Sequence, residues 1–415
     1  MLPLVKTSPK KLENYKELIS EELFQEIEEL AKDLKGLKIF QVNATPRGGG
    51  VAEILKSLVP LMKGVGLKAE WYTIPGKKDF FEITKEIHNA LQGKEYLFPF
   101  SHRVKYLQHL QNTAKLMKEM KPDIWVIHDP QPAGLILYLP HLDRAICRIH
   151  IDLTSPNARA WKFFAGIFSM YDKIILSSKA FIKKEIKEKV EVFPPAIDPL
   201  VSKNQPLKLE FSKKILKIFG INPNWPLISQ VSRFDPWKGI LELIDAYQIA
   251  KKKIPNLQLS LVGFSLAQDD PEARKIYQIV KKRAEKDPNI FLFFNPQILG
   301  NLKVNVFVNA IQVASNVIIQ NSTREGFGLS LAEAMWKQKA VIGGQAAGIK
   351  LQIQNKKNGF LASNPKELSK RIIQLIENQK LAEKLAKSAR ETVKEKFLLP
   401  RLLRDYLKVF KELIK

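Results

Sequence analysis

Short runs of β-branched and aliphatic residues alternate with long helix-patterned stretches along this whole chain, and few folds accept that pattern. In the first half the strand-like runs are LKIFQVN (37–43), AEWYTI (69–74), IWVIH (124–128), AICRIHI (145–151), KIILSS (173–178) and VEVFPP (190–195). A polar, proline-containing stretch, PPAIDPLVSKNQPLKLE (194–210), interrupts the rhythm and reads as a linker. A second set follows: PLISQVSR (226–233), LQLSLVG (257–263), IFLFF (290–294), NVIIQ (316–320) and AVIG (340–343). These runs are almost continuously apolar rather than alternating, as strands covered by helices on both faces must be.

A chain of 415 residues exceeds what one hydrophobic core usually organises. The expected fold class is therefore α/β, with two doubly wound, Rossmann-like domains facing each other across a cleft. Their expected limits are 1–205 and 206–390, with a C-terminal helix over 391–415 packing back on the first domain. The segment from Asn364 to Lys415 reads as helical throughout except around the Leu399–Pro400 step, and its Asn-Pro start suits a helix N-terminus.

Composition narrows the function classes. Cys147 is the only cysteine, so there is no internal disulfide framework and no cysteine-based zinc site. The N-terminus lacks an apolar signal core, and the most apolar long window, Asp123 to Leu142, is broken by His128, Asp129, Gln131 and three prolines. A cytoplasmic chain without a membrane span is expected. The net charge is +25, yet it is uneven: residues 1–200 carry 30 Lys+Arg against 24 Asp+Glu, and residues 201–415 carry 37 against 18. That excess falls mostly on helix faces such as KKRAEK (281–286) and comes with no zinc knuckle, aromatic RNA-binding box or arginine-rich arm. Nucleic acid is not an expected partner.

Three strand-to-helix junctions carry chemistry. NSTREGFGLSLAEA (321–334) places Glu325 and Glu333, with seven residues between them, around a Gly326-Phe327-Gly328 turn that opens a helix. Glycines let the backbone approach a ligand, and the unpaired N–H groups of the new helix favour an anion such as a diphosphate. VSRFDPWKG (231–239) likewise leaves a strand, and Arg233 and Lys238 can close on one diphosphate across a proline-containing turn. VNATPRGGGVAEIL (42–55) offers Gly48, Gly49 and Gly50 in a loop before a helix, without the spacing of a dinucleotide fingerprint or a Walker motif. Two histidines end strands: His128 in IHDPQPAG and His150 in RIHIDLTSPN, with Asp129 and Asp152 close by. Such histidines bind or polarise hydroxyl groups, or are simply satisfied structural residues. No third ligand is in register with either for a metal, and Asp269-Asp270 lacks D-x-D spacing. There is no G-x-S-x-G, and Cys147 lies inside an apolar strand.

With HDPQPAG, RIHIDLTSPN, VSRFDPWKG and REGFGLSLAEAMW in this order, the chain resembles the retaining GT-B glycosyltransferases of family four over almost its whole length. The two-glutamate motif is common to that family, while the HDPQPAG, HID and VSRFDPWKG strings are similar to its trehalose branch, which holds both trehalose synthases and retaining trehalose phosphorylases. The resemblance implies that Arg233 and Lys238 hold the donor diphosphate, that Glu325 binds donor glucose hydroxyls, and that Glu333 holds the ribose hydroxyls. It implies backbone from Gly326 through Phe327 and Gly328 to Leu329 around phosphate and glucose, with His128 near the donor sugar and the reacting centre. His150, Asp152 and Asn157 would shape the acceptor pocket, and Gly48 to Gly50 would close over diphosphate and acceptor. The implied activity moves glucose reversibly from ADP-, UDP- or GDP-glucose to glucose, giving trehalose, without a metal or Mg requirement and without a resident cofactor; the alternatives it leaves are a retaining trehalose phosphorylase and a family-four glycosyltransferase with another sugar or a lipid acceptor. Small-molecule substrates are the implied partners, and a homodimer is left open. One departure stands out: where relatives usually read V-G-G-I-K, this chain has Gln345-Ala346-Ala347-Gly348-Ile349-Lys350, so alanine replaces one glycine.

Overall fold

The computed structural model describes residues 1–139, 144–265 and 272–415. Asp269 and Asp270 therefore lie outside the described residues. The described residues divide into two compact units, one of residues 1–196 and 398–415, the other of residues 197–265 and 272–397.

The first unit is built on a seven-stranded sheet: β1 (Leu4–Val5), β2 (Lys38–Asn43), β3 (Lys68–Thr73), β4 (Ile124–His128), β5 (Ala145–Ile149), β6 (Lys173–Leu176) and β7 (Val190–Val192). Their spatial order is β1-β3-β2-β4-β5-β6-β7. All neighbours are parallel except β1, which pairs antiparallel with the edge of β3 through Leu4 and Tyr72. The second unit holds a wholly parallel six-stranded sheet of β8 (Leu227–Val231), β9 (Gln258–Val262), β10 (Ile290–Phe293), β11 (Val317–Gln320), β12 (Ala340–Gly343) and β13 (Phe360–Leu361). Here the order is β10-β9-β8-β11-β12-β13. Both orders reverse direction once, between β2 and β4 in the first sheet and between β8 and β11 in the second. Open α/β sheets bind ligands outside the strand C-termini at such a reversal, so each sheet marks where its site must lie.

All eleven strand runs named from sequence are strands. Central strands are sealed on both faces: every residue of β4, β5, β9, β11 and β12 is buried. β1 and β13 are additions of two residues each, too short to carry any periodicity and held only by register with β3 and β12.

The helix Pro365–Glu377 starts where the Asn-Pro pair placed it, with Asn364 Oδ1 accepting from Glu367 N at 2.9 Å. A second break at Asn378 caps the helix Gln379–Lys396 in the same way. The last helix, Leu399–Ile414, carries Pro400 in its first turn and belongs to the first unit. Its basic residues meet the helix Glu21–Asp33: Arg404 and Lys408 lie 3.1 and 2.6 Å from Glu26, and Lys411 lies 2.6 Å from Asp33. Residues 197–205 go with the second unit, ahead of the boundary drawn from composition, because side chains tie them there. Asn309 Nδ2 donates to the Ser202 and Gln205 carbonyls at 3.0 and 2.9 Å, and Lys203 Nζ lies 2.7 Å from Glu333 Oε1. No helix among the described residues is long and apolar enough to cross a membrane.

Candidate active site

In the second unit both motif turns leave the strands that flank the reversal, β8 and β11. Lys238 Nζ sits 2.6 Å from Glu325 Oε2, with each side chain 14% exposed. The same carboxylate oxygen accepts from Ser322 Oγ at 3.1 Å and Gln320 Nε2 at 3.4 Å. Two buried strand glutamines lace the turns together. Gln230 accepts from Asn321 N at 3.0 Å and donates to the Lys238 carbonyl at 2.9 Å, while Gln320 accepts from Ser330 Oγ at 3.0 Å. Arg233 Nη2 lies 3.6 Å from Asp235 Oδ2 and is the most open cation of the set, with 37% of its side chain exposed. Asp235 in turn caps the Pro236–Lys238 turn by accepting from Trp237 N at 3.1 Å.

The backbone here needs its glycines. Gly239 has φ 58° and Gly328 φ 89°, both left-handed, and Gly328 directly precedes the helix Leu329–Trp336. A Cβ on Gly348 would stand 2.5 Å from Glu325 O and from Phe327 N, so this glycine lets the loop after β12 lie against the Glu325–Phe327 turn. Its own N–H donates to Glu325 O at 3.0 Å, and Gln352 Nε2 donates to the Phe327 carbonyl at 2.5 Å. The alanine that departs from the resemblance, Ala347, begins a short ordinary helix turn, Ala347–Lys350, where a Cβ is harmless. Phe327 is buried and edge-on to Phe397, with ring centroids 5.2 Å apart.

Glu333 is the fifth residue of the helix Leu329–Trp336 and is 3% exposed, paired with Lys203, itself 13% exposed. Below them Lys337 Nζ donates to Gln312 Oε1 at 2.7 Å, Asn204 Oδ1 at 3.1 Å and the Glu333 carbonyl at 3.3 Å. Burial pushes the Lys337 ammonium down to about 7, against an opposing pull from Glu333. Sequence reasoning missed Lys203, which is distant in sequence and sits in what read as a linker.

In the first unit the reversal lies between β2 and β4, and residues from three adjacent strands meet there. His128 Nε2 is 2.7 Å from Gln41 Oε1, and His128 Nδ1 is 2.9 Å from His150 Nε2. The two rings stack with centroids 5.2 Å apart and an 18° angle. His128 is 1% exposed, so both its ring nitrogens are spent inside the chain and His150 lies nearer the surface. Burial, with the Arg148 guanidinium adding to it, pushes His128 down to about 3 and His150 well below its ordinary value. Arg148 is itself 1% exposed, donates to the Phe193 carbonyl at 2.9 Å and stacks on the Phe193 ring.

Asp129 takes φ 67° and accepts from His150 N at 2.7 Å, tying the two strand ends together. Asp152 is buried and accepts from Thr154 N at 2.9 Å and from the Thr154 hydroxyl. Asn157 caps the helix Ala158–Phe168, accepting from Arg159 N and Ala160 N at 3.0 and 3.2 Å. In the glycine loop after β2, Gly48 has φ 81°, Gly49 is extended and Gly50 is the first helical residue. Asn43 Nδ2 holds that loop by donating to the Thr45 carbonyl at 2.8 Å.

Residues 41–183 match the family model described as "Trehalose synthase, N-terminal domain", and residues 211–392 match "Glycosyl transferases group 1". The trehalose synthase of Thermococcus litoralis is 41% identical over 400 residues, covering 96% of each chain. A trehalose phosphorylase of Pleurotus pulmonarius is 29% identical over 85% of this chain and 54% of its own length. Among solved structures, the sucrose-phosphate synthase of Thermosynechococcus elongatus shares the fold at a TM-score of 0.72 and 15% identity, over 91% of this chain and 99% of that one. The fold is GT-B, and the chain belongs to the trehalose synthase family, as a trehalose-related glycosyltransferase.

Proposed function

We propose that the protein transfers glucose, with retention, from a nucleoside diphosphate glucose to the anomeric hydroxyl of free glucose, forming α,α-trehalose and the nucleoside diphosphate reversibly. The observation that carries this reading is the Lys238–Glu325 pair at the reversal of the second sheet, beside Arg233. A diphosphate needs fixed positive charge, and a sugar needs a carboxylate that accepts from its hydroxyls; this pair supplies both from one contact.

In this reading Arg233 and Lys238 hold the diphosphate. As the bond from the anomeric carbon to the phosphate oxygen lengthens, negative charge grows on the leaving group and those cations stabilise it. Glu325 fixes donor hydroxyls, the N–H groups from Gly326 to Leu329 face phosphate and sugar, and Glu333 takes the ribose diol. The acceptor hydroxyl attacks from the face the diphosphate leaves and passes its proton to the departing phosphate oxygen, so no protein nucleophile is required. The first unit supplies the acceptor side through the Gly48–Gly50 loop, His150, Asp152 and the backbone set by Asn157, with His128 beneath His150.

A trehalose phosphorylase is the second reading, favoured by the 29% identity to such an enzyme. Trehalose incubated with ADP, UDP or GDP in one set and with inorganic phosphate in another separates the two. Consumption of trehalose with a nucleoside diphosphate, yielding glucose and nucleotide sugar, is expected. Consumption only with phosphate, yielding glucose 1-phosphate, overturns the proposal.

A further inference from the structure

Gln41 is a buried amide in the middle of the apolar strand β2, 0% exposed, with no part in the motifs that define the family resemblance. Its orientation is fixed at both ends: Nε2 faces the Met62 sulfur at 3.7 Å, and Oε1 faces His128 Nε2 at 2.7 Å. An amide oxygen only accepts, so His128 must carry its proton on Nε2. His128 Nδ1 is then a bare acceptor, and the 2.9 Å contact requires His150 to donate from Nε2. A neutral His150 with its proton there presents Nδ1 as a lone pair.

That Nδ1 has no hydrogen-bond partner among the described residues, yet it is absent from the polar atoms sealed from solvent. It is the one ring nitrogen of the pair open to a ligand. From this chain of contacts we infer that Gln41 is a positioning residue that selects the His150 tautomer, making His150 Nδ1 the acceptor of a hydrogen bond from a hydroxyl of the acceptor sugar. The inference rests on the proposed acceptor role of the first unit. Burial and the neighbouring Arg148 support it by keeping both rings neutral. Were the Gln41 amide reversed, every proton in the chain would move across, and His150 would donate from Nδ1 instead. A single buried amide thus decides whether the site asks its sugar for a donor or an acceptor.

The test is ring-nitrogen NMR on the full chain with ¹⁵N-labelled histidine, with the six histidines assigned by substitution. At neutral pH the wild-type His150 is expected to show a protonated Nε2 and an unprotonated Nδ1, and added glucose is expected to move the Nδ1 resonance. A His150 protonated at Nδ1, or an Nδ1 resonance that glucose leaves in place, overturns the inference. Gln41→Met is expected to mix the two tautomers and raise KM for acceptor glucose roughly tenfold, the worth of one hydrogen bond, while KM for the nucleotide sugar stays. An unmixed tautomer in that variant overturns the role of Gln41. The tautomer is read without turnover, so an inactive protein with the expected resonances would defeat the proposed function and leave the proton arrangement standing.

Discussion

The two sheets place their sites at the same topological position and equip them in opposite electrical ways. At the second sheet's reversal the side chains are charged and paired, Lys238 with Glu325 and Lys203 with Glu333. At the first sheet's reversal the central groups are two neutral imidazoles and an amide joined end to end. The difference follows the ligands proposed for each. A nucleoside diphosphate brings charge that must be met by charge already in place, whereas a free hexose brings only hydroxyls, for which oriented neutral donors and acceptors suffice.

The contrast breaks most visibly at Lys238. Lys238→Met removes a cation from the leaving group and leaves the Glu325 carboxylate without its 2.6 Å partner. A fall in kcat of about 10³ is expected in initial-rate assays, the scale seen when a charge-stabilising donor is lost. Full activity in this variant would refute the charged half of the comparison.

Lys203→Met breaks a pair in which Glu333 is 3% exposed. A stability loss of about 3 kcal/mol is expected in urea unfolding, with a raised KM for the nucleotide sugar. The double variant with Glu333→Gln should recover most of the stability and none of the KM.

Acid should strike the neutral half. His128 is depressed to about 3 in the folded protein, so between that value and its ordinary unfolded value the unfolded chain binds a proton that the native state refuses. Stability therefore rises with pH across that window and is lost as pH falls through about 6.5. Between pH 7 and pH 5 the loss is about 2 kcal/mol for this histidine. Replacing His128 with Gln should flatten that part of the stability curve, measured by denaturant titration at each pH.

The smallest effect is expected at Ala347. It opens an ordinary helix turn, so Ala347→Gly should change stability by about 0.5–1 kcal/mol and leave turnover unchanged. Gly348→Ala, one residue on, should by contrast disturb the Glu325–Phe327 turn, because its Cβ would meet backbone atoms at 2.5 Å.

Much of this was legible in the chain. The parallel strands declared themselves as apolar runs, and three of the site segments sit where a polar motif ends such a run. β1 and β13 did not, since two residues hold no period and their pairing is set by a neighbouring strand. At the site, Lys238 and Glu325 were readable from local spacing, but their 2.6 Å contact joins residues 87 positions apart. Lys203 was hidden because a lysine in a proline-containing stretch reads as solvated linker. His128 read as a group facing the sugar, whereas three-dimensional stacking buries it under His150. One signal was available and unused: Gln41, Gln230 and Gln320 each stand in an otherwise mostly apolar strand, and all three are buried with their side chains engaged at the sites. A glutamine in such a run has to find partners, and here those partners are the functional groups.

The central claim, that a charged donor site serves a neutral sugar acceptor, is tested most directly by incubating the protein with ADP-, UDP- or GDP-glucose and glucose labelled with ¹³C at the anomeric carbon. The expected ¹³C spectrum shows a single non-reducing disaccharide with both anomeric centres α, formed in step with the nucleoside diphosphate. No labelled α,α-trehalose with any of the three donors, or a disaccharide with a β centre from the donor, would contradict it.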